Sequence, residues 1–443
     1  MFWGNKAAQA SEPDLTRTDS SKNDPSASAS QASGTAWLAG HLHHLTPEQE
    51  KSLQEFKTLC AERKYYTPAG DNPPSHEDAT MLRFLRARKF DVEGAWAQFK
   101  DTEDWRKDNS IEALYENIGV DSYEAARRMY PQWTGRRDRR GIPVYVFEIR
   151  HLDNKAVAAY NSTMTTGTPE THKSSTVPAR LLNLFALYEN LLRFVMPLCS
   201  ALPRPNPETP IVTSTNIVDV NGVGLKQFWN LKSHMQDASV LATAHYPETL
   251  DRIFIIGAPS FFPTVWSWIK RWFDPGTTSK IFILSAAEVE PTLTSFMEPS
   301  SIPKQYGGEL EWKWGDMPNL DDPSRELLQG IEQPLAEGQT RKEILKGPVL
   351  FEGDHLQVLG TVDGKERREV IPVPQTQTQT QTQAPKVESE AAPAATEAEA
   401  EAEKTGDAAP VDAEKKADDE KAVDNVAVKV NQLSVDEPQN AAA

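Results

Sequence analysis

The chain has 443 residues, a quarter of them charged, and a formal net charge of -17 at pH 7. That balance disfavours general nucleic-acid binding, which needs a basic surface. Its two cysteines, Cys60 and Cys199, make neither a disulfide framework nor a zinc pattern, and they suit a reducing compartment.

Residues 1–40 are mostly Ser, Ala, Asp, Asn and Gln, and from Gln375 the chain runs "QTQTQTQTQ" and then Ala, Glu, Lys and Pro to residue 443. Neither end can bury enough apolar surface to offset its ordering entropy, so both are expected to be disordered. The acidity is concentrated there: residues 384–443 hold 15 acidic against 6 basic side chains. The foldable part, roughly 41–360, suffices for one large domain. The N-terminus "MFWGNKAAQASEPD" lacks the charged-then-apolar order of a signal peptide. No run reaches the roughly 18 consecutive apolar residues of a membrane span. The nearest, "LLNLFALYENLLRFVMPLCSAL", is interrupted by Asn183, Glu189, Asn190 and Arg193 and reads as a buried or amphipathic helix.

Order is expected to begin at "LTPEQEKSLQEFKTLC", where Thr46 caps, Pro47 takes the first helical position and Gln49 completes a capping box. Leu53, Phe56 and Leu59/Cys60 follow at helical spacing. "SHEDATMLRFLRARKF" predicts a second helix with Met81, Leu82 and Leu85 on one side, and "DVEGAWAQFKDTEDWRKD" a third with Val92, Trp96, Phe99 and Trp105 inward. Residues 46–130 thus read as a small helical module. The pattern then changes to four short apolar runs, at 142–149, 215–220, 252–258 and 280–284, with helical patterns at 178–200, 224–244, 260–273 and 286–297. Strands alternating with helices, and apolar on both faces, predict a mainly parallel sheet covered on both sides. The Thr/Ser-rich stretch from His151 to Pro178 reads as a loop or partial helix, and "GELEWKWGDMPNLDD" as a closing segment.

Enzyme motifs are weak. "NGVGLKQ" follows a strand and opens a helix, but Gln227 stands where a dinucleotide loop has its third glycine. There is no GxxxxGK[ST], GxSxG, HExxH or CxxC. His41, His43 and His44 read as a polar lead-in rather than a metal site, and Asn161-Ser162-Thr163 has only the form of a glycosylation sequon.

Strand geometry says more. Parallel strands start at one edge, so Glu248, Arg252, Thr277 and Lys280 are expected to gather at the N-terminal edge of the sheet. A hydroxyl, an ammonium and a carboxylate there suit a polyol phosphate; a solvated Glu–Lys pair is the plainer reading. Just upstream, "APSFFPTVWSWIKRWF" gives a helical stripe of Phe262, Val265/Trp266, Ile269 and Trp272/Phe273, with Ser260 placed to cap and Lys270 and Arg271 basic. It reads either as a core helix or as an amphipathic helix for a membrane interface. "RFLRARKF" carries Arg83, Arg86, Arg88 and Lys89, a solvated face or a phosphate contact.

Taken in order, "MLRFLRARKFDVEGAWAQF", "YPQW…DRRGIPVYVFE", "IVDVNGVG", "YPETLDRIFIIGAPSFF", "FDPGTTSKIFIL" and "IPKQYGGEL" resemble the CRAL-TRIO lipid-binding family, and within it the fungal phosphatidylinositol/phosphatidylcholine transfer proteins, over residues 46–315. The resemblance implies an α/β fold: an N-terminal helical module (41–130), then a lobe (131–320) whose mainly parallel sheet floors an apolar lipid pocket gated by the 260–273 helix. A C-terminal extension (321–374) precedes the tail. It implies a non-enzymatic cytoplasmic protein, peripheral on endomembranes, monomeric, with bound phospholipid as ligand and no cofactor or metal. The phosphoinositide headgroup is expected at Arg88, Lys89, Glu248, Thr277 and Lys280, and the gate and membrane contact at Phe262, Trp266, Ile269, Trp272 and Phe273. The second-lipid positions match less well. Thr134 follows Trp133 where close relatives have another aromatic, and Asn216 stands where they have Thr; Tyr145 and Ser214 remain. Phosphatidylinositol with a different second hydrophobic ligand is therefore expected. A sterol or isoprenoid carrier on the same scaffold and a nucleotide-dependent enzyme are the rival readings.

Overall fold

The computed structural model of the chain describes residues 35–153, 155–160, 179–272, 278–328 and 345–373. The sequon, most of the Thr/Ser-rich stretch, and the two ends expected to be disordered lie wholly or largely outside these residues, as do Phe273 and Thr277.

Five helices form the N-terminal module: α1 (Pro47–Glu62), α2 (Asp78–Ala87), α3 (Val92–Asp108), α4 (Ile111–Asn117) and α5 (Val120–Arg127). The capping box forms as its residues demand: the Gln49 N–H donates to Thr46 Oγ1 (3.3 Å) and the Thr46 N–H to Gln49 Oε1 (3.0 Å). Leu53, Phe56, Cys60, Met81, Leu82, Leu85, Trp96 and Phe99 make one core.

The main sheet has the order β1-β2-β3-β4-β5: β1 (Gln132–Arg137), β2 (Pro143–Glu148), β3 (Ser214–Asp219), β4 (Leu250–Ile256) and β5 (Ile281–Ile283). β1 pairs antiparallel with β2, and the other pairs are parallel. Register sorts the side chains onto two faces. Tyr145, Asn216, Ile253 and Ile281 align across one face, followed by Phe147, Val218, Ile255 and Ile283. Val144, Val146, Ile217, Phe254 and Phe282 point the other way, under α10 (Ala286–Phe296).

A long helix runs as α6 (Ala179–Asn190), a π-turn (Leu191–Val195) and α7 (Met196–Ala201). Pro197 has no N–H to give the Arg193 carbonyl four residues back, which accounts for the widened turn. Leu181–Ala201 is long and apolar enough to cross a membrane by length and composition, but most of it is buried in the cores of this fold. The first sheet face is covered by α8 (Leu225–His245) and α9 (Phe262–Ile269), the latter ending in a 3-10 turn, Lys270–Trp272. Ser260 does not cap α9; the helix starts after Phe261 without a side-chain cap. After α11 (Asp322–Leu327) come β6 (Val349–Phe351), β7 (His355–Val358), the short pair β8 (Thr361–Val362) and β9 (Lys365–Glu366), and β10 (Glu369–Pro372). The three-stranded sheet β10-β7-β6 packs on the π-turn helix, and the Tyr115 hydroxyl both donates to the Val349 carbonyl (2.7 Å) and accepts from its N–H (3.1 Å).

Candidate functional site

Glu248 and Lys280 meet where β4 and β5 begin. Their side chains pair at 3.5 Å, with 23% and 29% exposure respectively, and Lys280 Nζ also donates to the Leu250 carbonyl (3.1 Å). The third partner comes from the helical module: Arg86 on α2 donates to the same carboxylate oxygen, Glu248 Oε2, at 3.0 Å. One carboxylate is therefore shared by two cations on different elements.

The backbone there is strained. Glu248 has a φ of 57°, a left-handed conformation that costs a non-glycine residue about 1 kcal/mol. Both neighbours are pinned. Arg83 Nε donates to the Pro247 carbonyl (3.0 Å), and the Thr249 carbonyl accepts from Ser214 N (2.9 Å) and Oγ (3.1 Å). Such strain persists because the surrounding contacts hold it. Arg83 is fully buried with its Nη2 unpartnered among the described residues, and burial pulls its guanidinium down to about 10. Arg86 is also lowered by burial, with Glu248 and Asp251 opposing.

Next to this edge lies a second charge network. Asp251 is bound by Arg140 and by Arg252 (2.8 Å), and Arg140 is also bound to Asp138 (2.6 Å). Burial works to raise Asp251, but Arg140 and Arg252 outweigh it and hold the carboxyl below its usual range. Arg252, expected at the headgroup edge, instead pairs with Asp251 and lies over the Phe296 ring, 4.6 Å from its centroid.

The structure does not bring Arg88 and Lys89 to Glu248. Arg88 caps the end of α2, and the charges that act on it are Asp91 and Asp101. Lys89 is exposed just beyond, at a φ of 52°. Of the basic residues in "RFLRARKF", Arg86 is the one bonded to Glu248. Thr277 lies outside the described residues, so its position relative to Lys280 is not part of this geometry.

Of the second-lipid positions, Tyr145 and Asn216 are register partners, and Tyr145 packs on the core of the π-turn helix. The Ser214 hydroxyl is committed: it donates to the Thr249 carbonyl and accepts from Asn216 Nδ2 at 3.0 Å. Thr134 faces away from Tyr145, fully buried, with its hydroxyl donating to the Val144 carbonyl (3.1 Å). On α9, Phe262 and Val265 are buried against the sheet, and Trp266 lies half-buried beside Phe262 with ring centroids 6.4 Å apart. Phe262 and Trp266 thus face inward in this conformation; the side chains of Ile269 and Trp272, with all of Phe273, lie outside the described residues. At the other end of the strands, Gln227 Nε2 donates to the carbonyls of Ile149 (3.1 Å) and Arg150 (3.2 Å). The residue that breaks the dinucleotide pattern is there to hold the end of β2. Among the described residues, no group of three or more His, Cys, Asp or Glu is placed to hold a metal.

The CRAL/TRIO domain matches residues 127–308, and the CRAL/TRIO N-terminal domain residues 52–101. With the SEC14 cytosolic factor of Eremothecium gossypii the chain is 32% identical over 274 residues, 62% of this chain and 80% of that protein. This chain belongs to the CRAL/TRIO family. The CRAL/TRIO relatives include the Sec14 cytosolic factor of Schizosaccharomyces pombe, 31% identical over 62% of this chain and 87% of that one. The phosphatidylinositol/phosphatidylcholine transfer protein SFH7 of Arabidopsis thaliana is 34% identical over 53% of this chain and 40% of that one. Against the SEC14 cytosolic factor of Yarrowia lipolytica, the shared span covers 53% of that protein's length. The β10-β7-β6 sheet lies beyond both CRAL/TRIO matches.

Proposed function

We propose that this protein binds single phosphatidylinositol molecules and carries them between membranes, or presents them to lipid-modifying enzymes, without catalysing a reaction. The observation that carries this reading is the carboxylate of Glu248, held in a strained backbone and shared by Arg86 and Lys280. Lys280 supplies an ammonium to the lipid phosphate once it leaves the carboxylate. Glu248 then accepts hydrogen bonds from the inositol hydroxyls while Arg86 keeps it aimed. Arg88, Lys89 and Thr277 are proposed as outer headgroup contacts. The name of the Arabidopsis thaliana relative, a phosphatidylinositol/phosphatidylcholine transfer protein, supports the ligand class.

The acyl chains lie along the apolar sheet face of Phe147, Val218, Ile253, Ile255 and Ile281, beneath α9. Each buried methylene contributes about 0.8 kcal/mol, which is why a lipid leaves a bilayer slowly alone and why the pocket must close on what it carries. α9 is the gate: with Phe262 and Trp266 inward it is shut, and swinging out brings them and Ile269, Trp272 and Phe273 to a membrane. Tyr145 and Asn216 are the side chains for a second, less polar ligand. The working unit is a monomer of helical module and lobe, cytoplasmic and peripheral on endomembranes, with lipid as its only bound group.

Transfer of labelled phosphatidylinositol between vesicles tests this. The Lys280→Ala/Glu248→Ala protein is expected to lose at least tenfold in transfer while staying folded; transfer at the wild-type rate removes the site assignment.

A further inference from the structure

The start of α8 presents an apolar surface turned away from the sheet. Leu225 and Trp229 are 50% and 55% exposed, and at a spacing of four they share one side of the helix. Phe228 and Leu231, on the opposite side, are buried and fix α8 to the sheet. The Trp229 ring meets Trp268 of α9 edge-on, centroids 5.6 Å apart, so the patch runs onto the gate helix. Lys232 Nζ sits 4.9 Å from the centre of the Trp229 ring; Lys226, one turn before Trp229 on α8, and Lys270 and Arg271, directly after α9, are exposed. Segments 220–236 and 257–272 contain no Asp or Glu, in a chain that has 64.

We infer that α8 and the outer side of α9 form a standing platform for a phospholipid bilayer with anionic headgroups. The inference rests on the carrier reading above and adds to it a contact that does not need the gate to open. Tryptophan is an amphipathic ring suited to the headgroup level, and an aliphatic neighbour extends below it. These cations match an anionic leaflet, each Lys or Arg near the surface strengthening attraction by roughly fivefold in binding. The acid-free surface is a side of the fold that such a membrane attracts, so it also sets orientation. With Trp229 fixed and Trp268 on the gate, docking places the bilayer against the element that must move.

Co-sedimentation of the full chain with vesicles tests this, using neutral phosphatidylcholine and phosphatidylcholine/phosphatidylserine mixtures. Leu225→Ala/Trp229→Ala is expected to bind both vesicle types about tenfold more weakly. Lys226→Gln/Lys232→Gln is expected to lose binding only on the anionic vesicles, by tenfold or more. Both variants should purify with the same lipid as the wild type, read by mass spectrometry. Wild-type vesicle binding by the Leu225/Trp229 variant overturns the platform and leaves a protein partner for that surface. A wild-type protein that purifies without phosphatidylinositol overturns the carrier reading instead, whatever the vesicles show.

Discussion

Among the described residues, two of the ion-pair clusters that tie the helical module to the sheet lobe differ in how much water reaches them. Arg106 on α3 grips Glu189 on α6 with two hydrogen bonds (2.6 and 3.1 Å), and Tyr246 donates a third (2.9 Å); the carboxylate is 1% exposed. Arg86 on α2 grips Glu248 with one bond, and Lys280 shares the same oxygen at partial exposure. The first cluster is saturated, on ordinary helical backbone. The second is incompletely sealed, on a strained residue, with Lys280 shared between Glu248 and the Leu250 carbonyl. Satisfied buried charge holds two units in register, whereas half-exposed charge on a strained loop is available to a ligand.

Removing Arg106 should therefore have the largest effect on folding. Arg106→Met strands a buried carboxylate and is expected to cost about 3–5 kcal/mol, measured by urea unfolding; a cost within that of a surface pair would erase the contrast. At the exposed cluster the expected loss is functional. Arg86→Met should lower phosphatidylinositol transfer about tenfold, and Arg88→Met should lower it less, because of these two arginines it is Arg86 that bonds to Glu248 among the described residues. Equal losses would show that the lipid draws Arg88 into the site.

Acid should act on both clusters next, through a buried histidine at each. Burial lowers His41, which Arg86 also disfavours, to about 4, and His245, beside Arg106 and stacked on Trp105, to about 3. Both are neutral when folded, while an unfolded histidine takes its proton near pH 6.5. Their contribution is complete above about pH 6.5 and falls as the pH drops towards 4, by up to about 1.4 kcal/mol per pH unit for each. Replacing His245 with Gln should flatten that slope in unfolding measured from pH 7 to 4.5. The smallest effect is at the strained residue: Glu248→Gly should be about 1 kcal/mol more stable than Glu248→Ala, since only glycine accepts the left-handed backbone freely.

Much of this was legible in the residues. The four apolar runs became β2 to β5 within a few residues of their expected limits, because a covered parallel sheet demands apolar side chains on both faces. The pairing of Glu248 with Lys280 followed from parallel strands sharing a starting edge. β1 was hidden: it reads "QWTGRR", carries a glycine at a φ of 86° and shifts register between Trp133 and Arg137. The C-terminal strands are too short for a periodic signal, at two to four residues each. The motif "RARK" could not separate Arg86 from Arg88, since residues two apart point to different sides of a helix. Which of them faces β4 is a matter of how α2 packs.

The most direct test of the shared carboxylate is the lipid that the protein holds. Mass spectrometry of lipid extracted from the purified wild type should find phosphatidylinositol. The same extraction from folded Lys280→Ala/Glu248→Ala protein should find it replaced by lipid without an inositol headgroup, because the apolar face is untouched. Phosphatidylinositol retained by that variant, or absent from the wild type, would contradict the account.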